Sequence, residues 1–166
     1  YIRATPHRVI RVLIVYTYPT IIGSVTFGER NGAISYITTS DIKEEYIVEE
    51  TRLIQQAFEQ LQEYLEGKRQ TFCFPINPKG TPFQEQVWNA LRNIPYGETR
   101  SYKQIAEVIG NPKAVRAVGM ANNRNPLLIV TPCHRVIGAD GRLVGYAAGL
   151  SLKEFLLELE RTNRNI

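Results

Sequence analysis

The chain has 166 residues, of which 43% are hydrophobic and 22% are charged, with a formal net charge of +4. This length predicts one ordinary domain, or two small ones that share a core. The longest apolar run, at 9–15, is interrupted by Arg11 and is far shorter than the roughly 20 residues that cross a bilayer. We therefore expect no membrane partner. No signal peptide is visible, so we expect a cytoplasmic protein.

Four residues are candidate metal ligands of the kind that zinc prefers: His7, Cys73, Cys133 and His134. None of them is joined to another by the short spacings typical of structural zinc sites. Two cysteines also do not form a disulfide framework in a chain of this size. We expect a reducing compartment, no metal and no cofactor.

The positive charge is concentrated in the second half of the chain. Residues 1–80 contain nine basic and nine acidic side chains, whereas residues 81–166 contain eleven and seven. Between 92 and 135, seven basic side chains face only two acidic ones. This excess is typical of a surface that binds a polyanion, although a solvated basic surface has the same composition.

The first half shows three strand signals and then one helical signal. Segments rich in Val and Ile predict antiparallel strands at 9–16, 20–26 and 34–37. Gly28 and the Asn31-Gly32 pair are turn residues between the last two strands. From 44 to 67 the apolar residues, beginning with Ile47, recur at helical spacing, and Gly67 is a suitable end for that helix.

Prolines and glycines at 75–82 predict a linker. We therefore divide the chain into an N-terminal α/β domain, 1–78, and a C-terminal domain, 79–166.

The second half is mostly helical. Thr81 is the expected cap of its first helix, with Pro82 at the first position and Glu85 near the third. A short helix runs from Ser101 to Val108, Pro112 opens the next, and a last helix spans 151–161. The residues expected to face inward are Ile105, Ala106 and Val108 on the short helix and Leu152, Phe155, Leu156 and Leu159 on the last.

Gly110-Asn111 joins two of these short helices, and the second carries Lys113 and Arg116. This arrangement is typical of a DNA-binding helix-turn-helix. Helical hairpins without any DNA contact show the same pattern, so both interpretations stay open.

Cys133 is the candidate nucleophile. A thiol is mostly protonated at neutral pH, but an adjacent imidazole can accept its proton and a carboxylate can then hold the imidazolium. His134 is adjacent, and Glu160 on the last helix is a candidate third member. A cysteine after a buried apolar run, here 127–130, is also often a small core residue.

The segment Pro132-Cys133-His134-Arg135-Val136 resembles the active-site signature of the O6-alkylguanine-DNA alkyltransferases, also called methylated-DNA–protein-cysteine methyltransferases. Further motifs stand in the same order and spacing at 81–84, 94–99, 101–102, 110–119, 125–126, 141–146 and 149–150. The resemblance covers 81–161 almost continuously. The first half matches only in its layout of a small sheet, a helix and a linker.

The resemblance implies an α+β fold: a small N-terminal antiparallel sheet plus helix, ribonuclease H-like in layout, then a mostly helical domain with a helix-turn-helix and an active-site loop. It implies that Cys133 accepts the alkyl group, that His134 acts as base through a water and that Glu160 holds His134. Asn125 would tie the helix-turn-helix to the active-site loop. Tyr102 would rotate the lesion outward and protonate guanine N3, and Arg116 would fill the vacated space in the base stack.

The same resemblance implies further contacts and partners. The other DNA-binding residues would be Lys113, Ala117, Arg124 and Arg135, and the pocket residues would be Val136, Tyr146, Ala147, Ala148 and Asn122. The partner would be double-stranded DNA that carries O6-alkylguanine or O4-alkylthymine, bound through its minor groove. The protein would be a monomer in solution, with cooperative DNA binding left open, and nucleoid-associated if its source is a prokaryote.

Two positions depart from the family pattern. Ala147 stands where many relatives have serine, and Ala148 stands where glycine is common. The added methyl group of Ala148 puts the response to bulky adducts in doubt. His7 and Cys73 lack the context of the N-terminal zinc ligands found in some relatives.

Two alternatives belong to other functional classes. A lesion-binding module without chemistry is disfavoured because Cys133 is present. A cysteine hydrolase would need an oxyanion hole and a leaving-group site, and nothing in the sequence indicates either.

Overall fold

The computed structural model describes residues 12–164. His7 and the beginning of the strand predicted at 9–16 lie outside these residues. No helix within 12–164 is long and apolar enough to cross a membrane.

A four-stranded sheet forms the first layer, in the order β3-β2-β1-β4. The first three strands, β1 (Leu13–Thr20), β2 (Gly23–Arg30) and β3 (Ala33–Thr38), are antiparallel neighbours. Asn31 and Gly32 both have positive φ values, 58° and 74°, as expected of a two-residue hairpin turn. This turn confirms the prediction made from the Asn-Gly pair.

Three details of the sheet differ from the prediction. The second strand is present, but the bounds predicted for it, 20–26, are wrong, because the β1–β2 turn lies at residues 21–22 and β2 continues to Arg30. Gly28 is not in a turn but within β2, beside a register shift. Ile47 belongs not to a helix but to a short strand, β4 (Tyr46–Val48), which pairs parallel to β1 and makes the sheet mixed.

Helix α1 (Arg52–Leu65) packs against the sheet. It begins well after residue 44 because the Thr51 side chain accepts a hydrogen bond from the Ile54 amide and caps the first turn. Its buried face includes Ile54, Leu61 and Tyr64. The sheet therefore covers one side of α1.

The second half contains α2 (Pro82–Arg92), α3 (Tyr102–Val108), α4 (Val115–Asn123) and α5 (Leu150–Asn163). Short strands β5 (Arg100–Ser101) and β6 (Val136–Ile137) pair in parallel, and Cys133–Arg135 forms a 3₁₀ turn.

Thr81 and Ser101 cap their helices with reciprocal capping boxes, in which the partners are Gln84 and Gln104. The third position of α2 is therefore Gln84, not Glu85. Helix α4 begins at Val115 rather than at Pro112, and Val108 is 71% exposed rather than inward.

One continuous hydrophobic cluster joins the two halves. The backbone of Ile37 on β3 bonds to the segment before Cys133: its amide donates to the Pro126 carbonyl (2.8 Å), and its carbonyl accepts from the Leu128 amide (2.9 Å). The N-terminal sheet thus supports the loop that carries the candidate nucleophile. The division at 78/79 stays a prediction.

Candidate active site

A tight buried turn delivers Cys133 to its position. Ile129, a β-branched residue, has a φ of 72°, a strained conformation that is rare outside functional sites. The Val130 amide donates to the Leu128 carbonyl and the Thr131 amide to the Leu127 carbonyl, which closes the turn. The apolar run 127–130 is therefore folded back on itself just before Cys133.

Cys133 is a free cysteine, 6% exposed, in the wall of a small cavity of about 50 Å³. Three of the predicted pocket residues, Tyr146, Ala147 and Ala148, line this cavity. Residues 37–40 of the N-terminal half line it as well, which the sequence did not indicate.

Val136 and Asn122 do not line the cavity. Both residues are buried. The Val136 carbonyl accepts a hydrogen bond from Lys153 Nζ, and Asn122 Nδ2 donates to the Cys133 carbonyl (3.4 Å). Their assignment to the substrate pocket stays a prediction.

Asn125 lies between the end of α4 and the active-site loop, residues 127–146. Its Nδ2 is 2.7 Å from the Thr131 carbonyl, 3.2 Å from the Leu127 carbonyl and 3.2 Å from Cys133 Sγ, and its Oδ1 accepts from the Leu127 amide. One side chain therefore contacts both the strained turn and the thiol.

Burial raises the pKa of the Cys133 thiol, while contacts from Asn125 and Tyr146 and the charge of Lys153 oppose this effect. The Tyr146 hydroxyl is buried near the thiol and helps to lower its pKa, although within residues 12–164 this hydroxyl has no hydrogen bond of ordinary geometry. The resting cysteine is therefore a thiol, and a base is needed to make it nucleophilic.

The candidate base, His134, lies within the same buried turn. His134 is fully buried, and its Nε2 lies 2.7 Å from Oε2 of Glu160. Hydrogen bonding to the carboxylate favours the tautomer with the proton on Nε2, which leaves the lone pair on Nδ1. Nδ1 has no partner within residues 12–164, so it is free to accept a proton.

Four residues donate to the Glu160 carboxylate. Oε1 accepts from the Gly97 amide (3.1 Å) and Arg135 Nε (2.8 Å). Oε2 accepts from the Tyr64 hydroxyl (2.5 Å) and Arg135 Nη2 (2.9 Å), in addition to His134. Burial opposes the charge, but the bonds from His134 and Arg135 hold the pKa of Glu160 far below its usual range. It is therefore a permanent carboxylate.

Arg135 does not line a DNA-binding surface, contrary to the expectation. It is only 7% exposed, and its guanidinium is occupied by both oxygens of Glu160 and by the Ile94 carbonyl (2.7 Å). Its charge compensates the buried carboxylate rather than a phosphate.

The sequence also missed Lys153 and Tyr64. The fully buried residues of α5 are Lys153, Leu156 and Glu160. Of the four apolar residues expected there, Leu156 is buried and Leu152 and Leu159 pack against the core, whereas Phe155 is 38% exposed. Lys153 Nζ donates to the carbonyls of Val136 (2.6 Å) and Val144 (2.9 Å) and so ties two points of the active-site loop to α5. Lys153 and Glu160 are seven residues apart, which is about two helical turns, so the sequence could have indicated that both lie on the same face of α5.

Helices α3 and α4 pack together and present a basic surface beside the cavity. Four basic side chains on or next to these helices are exposed, as is Ala117: they are Lys103, Lys113, Arg116 and Arg124. The Tyr102 hydroxyl, half-buried, donates to the carbonyls of Val144 (3.0 Å) and Gly145 (3.3 Å) in the active-site loop. Tyr102 therefore joins the helix pair to the cavity rim.

Acid should destabilise this buried cluster. Burial lowers the pKa of His134, so on acidification the unfolded chain takes up a proton first, from about pH 6.5 downward. Glu160, whose pKa is depressed, adds stability that is lost below about pH 4.3. Both effects have the same sign, so we expect the free energy of unfolding in urea to fall steadily below pH 6.5.

The variant His134→Gln tests the first of these effects, because His7 is the only other histidine and remains in both proteins. The decrease between pH 6.5 and 5 should be smaller in the variant. Equal slopes would contradict a His134 that is buried in its neutral form.

Comparisons with known proteins agree with this geometry. The family model described as 6-O-methylguanine DNA methyltransferase, DNA binding domain, matches residues 82–162. A methylated-DNA–protein-cysteine methyltransferase from Methanosarcina barkeri is 57% identical over 116 residues, which are 70% of this chain and 73% of the relative. The chain belongs to the methylated-DNA–protein-cysteine methyltransferase family. The constitutive family member from Bacillus subtilis is 58% identical over 68% of each chain.

A solved structure of this family has the same fold. Mycobacterium tuberculosis OGT in complex with DNA has a TM-score of 0.86 and 40% identity, and the match covers 90% of this chain and 94% of that one. The family resemblance and the α+β class inferred from the sequence are thereby confirmed. In the described part of the chain, no group of three or more His, Cys, Asp and Glu residues could hold a metal ion.

Proposed function

We propose that the protein repairs alkylated DNA by transferring the alkyl group from guanine O6 to Sγ of its own Cys133, once per molecule. The observation that carries this proposal is the buried free thiol in a cavity wall, next to a His134–Glu160 pair and beside an exposed basic helix pair. Membership of the methyltransferase family supports the same chemistry.

The transfer is an in-line displacement. The thiol proton passes through a water to Nδ1 of His134, and Glu160 stabilises the imidazolium. The Sγ–carbon bond forms as the carbon–O6 bond breaks, and the bonding electrons leave with guanine. Guanine takes up one proton, for which the Tyr102 hydroxyl at the cavity rim is the proposed donor toward N3. Tyr102 regains a proton from solvent as the His134 imidazolium releases one, so no co-reactant is consumed.

The lesion must leave the base stack before it can react. A thiol that is 6% exposed cannot approach O6 inside a duplex, so the nucleotide is flipped into the cavity at a cost of a few kcal/mol. Arg116, exposed on α4, is suited to filling the gap because its planar guanidinium stacks and donates hydrogen bonds.

We propose that α4 enters the minor groove and that the protein binds as a monomer. Minor-groove contacts distinguish base sequences poorly, which suits a search for rare lesions. We also propose O4-alkylthymine as a second substrate.

Incubation with duplex DNA that carries radiolabelled O6-methylguanine tests the function. Transfer of the label to protein supports it. Lesion-specific binding that leaves the label on DNA would indicate the non-catalytic binding module instead. A cysteine hydrolase would neither bind the lesion nor accept its label.

The salt dependence of binding to undamaged DNA tests the proposed surface. If the exposed residues Lys103, Lys113, Arg116 and Arg124 each neutralise one phosphate, log affinity should fall with log salt with a slope of about −3 to −4. Buried Arg135 should not contribute. Competition with random-sequence duplexes at several salt concentrations measures both the slope and the sequence preference. A flat salt response, or a preference of ~10³-fold for one sequence, would contradict this surface.

A further inference from the structure

Tyr64 lies on α1, in the N-terminal half, but its hydroxyl is part of the buried cluster around Glu160. The side chain is fully buried, and its hydroxyl is 2.5 Å from Oε2 of Glu160 and 3.4 Å from Nε2 of His134. Among the donors to Glu160 in residues 12–164, only Tyr64 comes from α1. The 96-residue separation of Tyr64 and Glu160 makes this a contact between the two halves of the chain.

The donors to Glu160 divide between two tasks. Arg135 bonds to both oxygens and the Gly97 amide bonds to Oε1, and these contacts already fix the orientation of the carboxylate. Tyr64 bonds to Oε2, the same oxygen that faces His134. A donor at that oxygen withdraws negative charge from the atom that binds the imidazole ring.

We propose that Tyr64 is a positioning residue for alkyl transfer: its hydroxyl, bonded to Oε2 of Glu160, limits how strongly the carboxylate holds the His134 ring. The N-terminal helix thereby sets the strength of the base that serves Cys133. This inference rests on the proposed function, because it assigns a role in the same transfer reaction.

The charged and titratable groups around His134 define the expected direction. Glu160 favours the imidazolium, whereas burial and the charges of Arg135 and Lys153 oppose it. Cys133 is the adjacent residue in the chain, and Tyr64 faces the ring from α1. Burial and Glu160 raise the pKa of Tyr64 well above its ordinary value, so Tyr64 stays a protonated donor.

Removing the hydroxyl therefore strengthens the bond between Glu160 and His134. The imidazolium then forms at a higher pH, and an imidazolium cannot accept the thiol proton. The loss of activity on the acidic side should begin at a higher pH in Tyr64→Phe than in the parent protein.

Tyr96→Phe is a matched control. The Tyr96 hydroxyl is also buried but has no hydrogen-bond partner in the described chain, and its ring lies edge-on to that of Tyr64 with 6.1 Å between centroids. Both variants remove one buried hydroxyl from the same aromatic contact. Only Tyr64→Phe removes a donor to Glu160.

The experiment measures methyl transfer from O6-methylguanine duplex between pH 5 and 9, with ¹⁵N-histidine NMR spectra of the same proteins. We expect the acidic limb of the rate profile to lie about one pH unit higher in Tyr64→Phe than in the parent protein. At the acidic end of the profile the variant should therefore be about tenfold slower. The Nε2 resonance of His134 should shift as well, with Tyr96→Phe like the parent in both measurements. The resonance is assigned with His134→Gln.

A second variant protects the test against a folding defect. Incorporation of 3-fluorotyrosine at position 64 keeps the hydroxyl and makes it a stronger donor, so both measurements should move in the opposite direction. Tyr64→Phe with unchanged profile and resonance, or equal shifts in Tyr96→Phe, would overturn the inference. Failure of the parent protein to accept any label would instead overturn the proposed function, and the positioning role of Tyr64 with it.

Discussion

Replacing Cys133 by alanine should abolish methyl transfer completely while lesion-containing DNA is still bound. In the proposed transfer the sulfur forms the new bond, and the thioether product has no good leaving group from which the thiol could be regenerated. The parent protein should therefore accept at most one methyl group per molecule. Quantitative label transfer, with peptide mass mapping of the modified residue, measures both.

Cys73→Ala is the matched control. Cys73 is the chain's other cysteine, and it is free and exposed rather than buried in the cavity wall. This variant should accept one methyl group like the parent. A methyl group found on Cys73, or several turnovers per molecule, would contradict the acceptor role of Cys133.

Replacing Arg116 by alanine should slow repair of a lesion in duplex DNA by about 100-fold, which is about 2.7 kcal/mol and within the few kcal/mol that flipping costs. Transfer from free O6-methylguanine should be nearly unchanged, because a free base needs no extrusion. Single-turnover rates on the two substrates give the ratio directly.

Lys113→Ala controls for charge, because it removes one exposed positive charge from the same surface. It should weaken DNA binding without changing the ratio of the two rates at saturating DNA. Tyr102→Ala is expected to impair both substrates, although the duplex more, because its hydroxyl also contacts the active-site loop. Equal losses on both substrates in Arg116→Ala would place Arg116 in the pocket or the fold instead.

Local signals in the sequence predicted the elements whose causes are local. Thr81 and Ser101 cap α2 and α3 because each side chain bonds to an amide three residues on, and Asn31-Gly32 forms its turn because both residues tolerate positive φ. The Pro-Cys-His-Arg signature likewise indicated the family, since its residues are adjacent in the chain.

Sequence patterns failed where a contact depends on distant parts of the chain. β4 is a strand because β1 offers it an edge, and the hydropathy of 46–48 cannot show that edge. Arg135 was expected to bind DNA because it belongs to the basic segment 92–135, but Glu160, 25 residues away, makes its burial favourable.

The chain's sequence by itself therefore determined the caps, the hairpin turn and the family signature, and it indicated Cys133 as the candidate acceptor. Only the tertiary structure decided which charges are buried around it. Glu160 needs Arg135, Gly97, His134 and Tyr64 at once, and a buried carboxylate is stable only when its partners converge from separate elements. That convergence is a property of the packed chain, because no single segment contains all the partners.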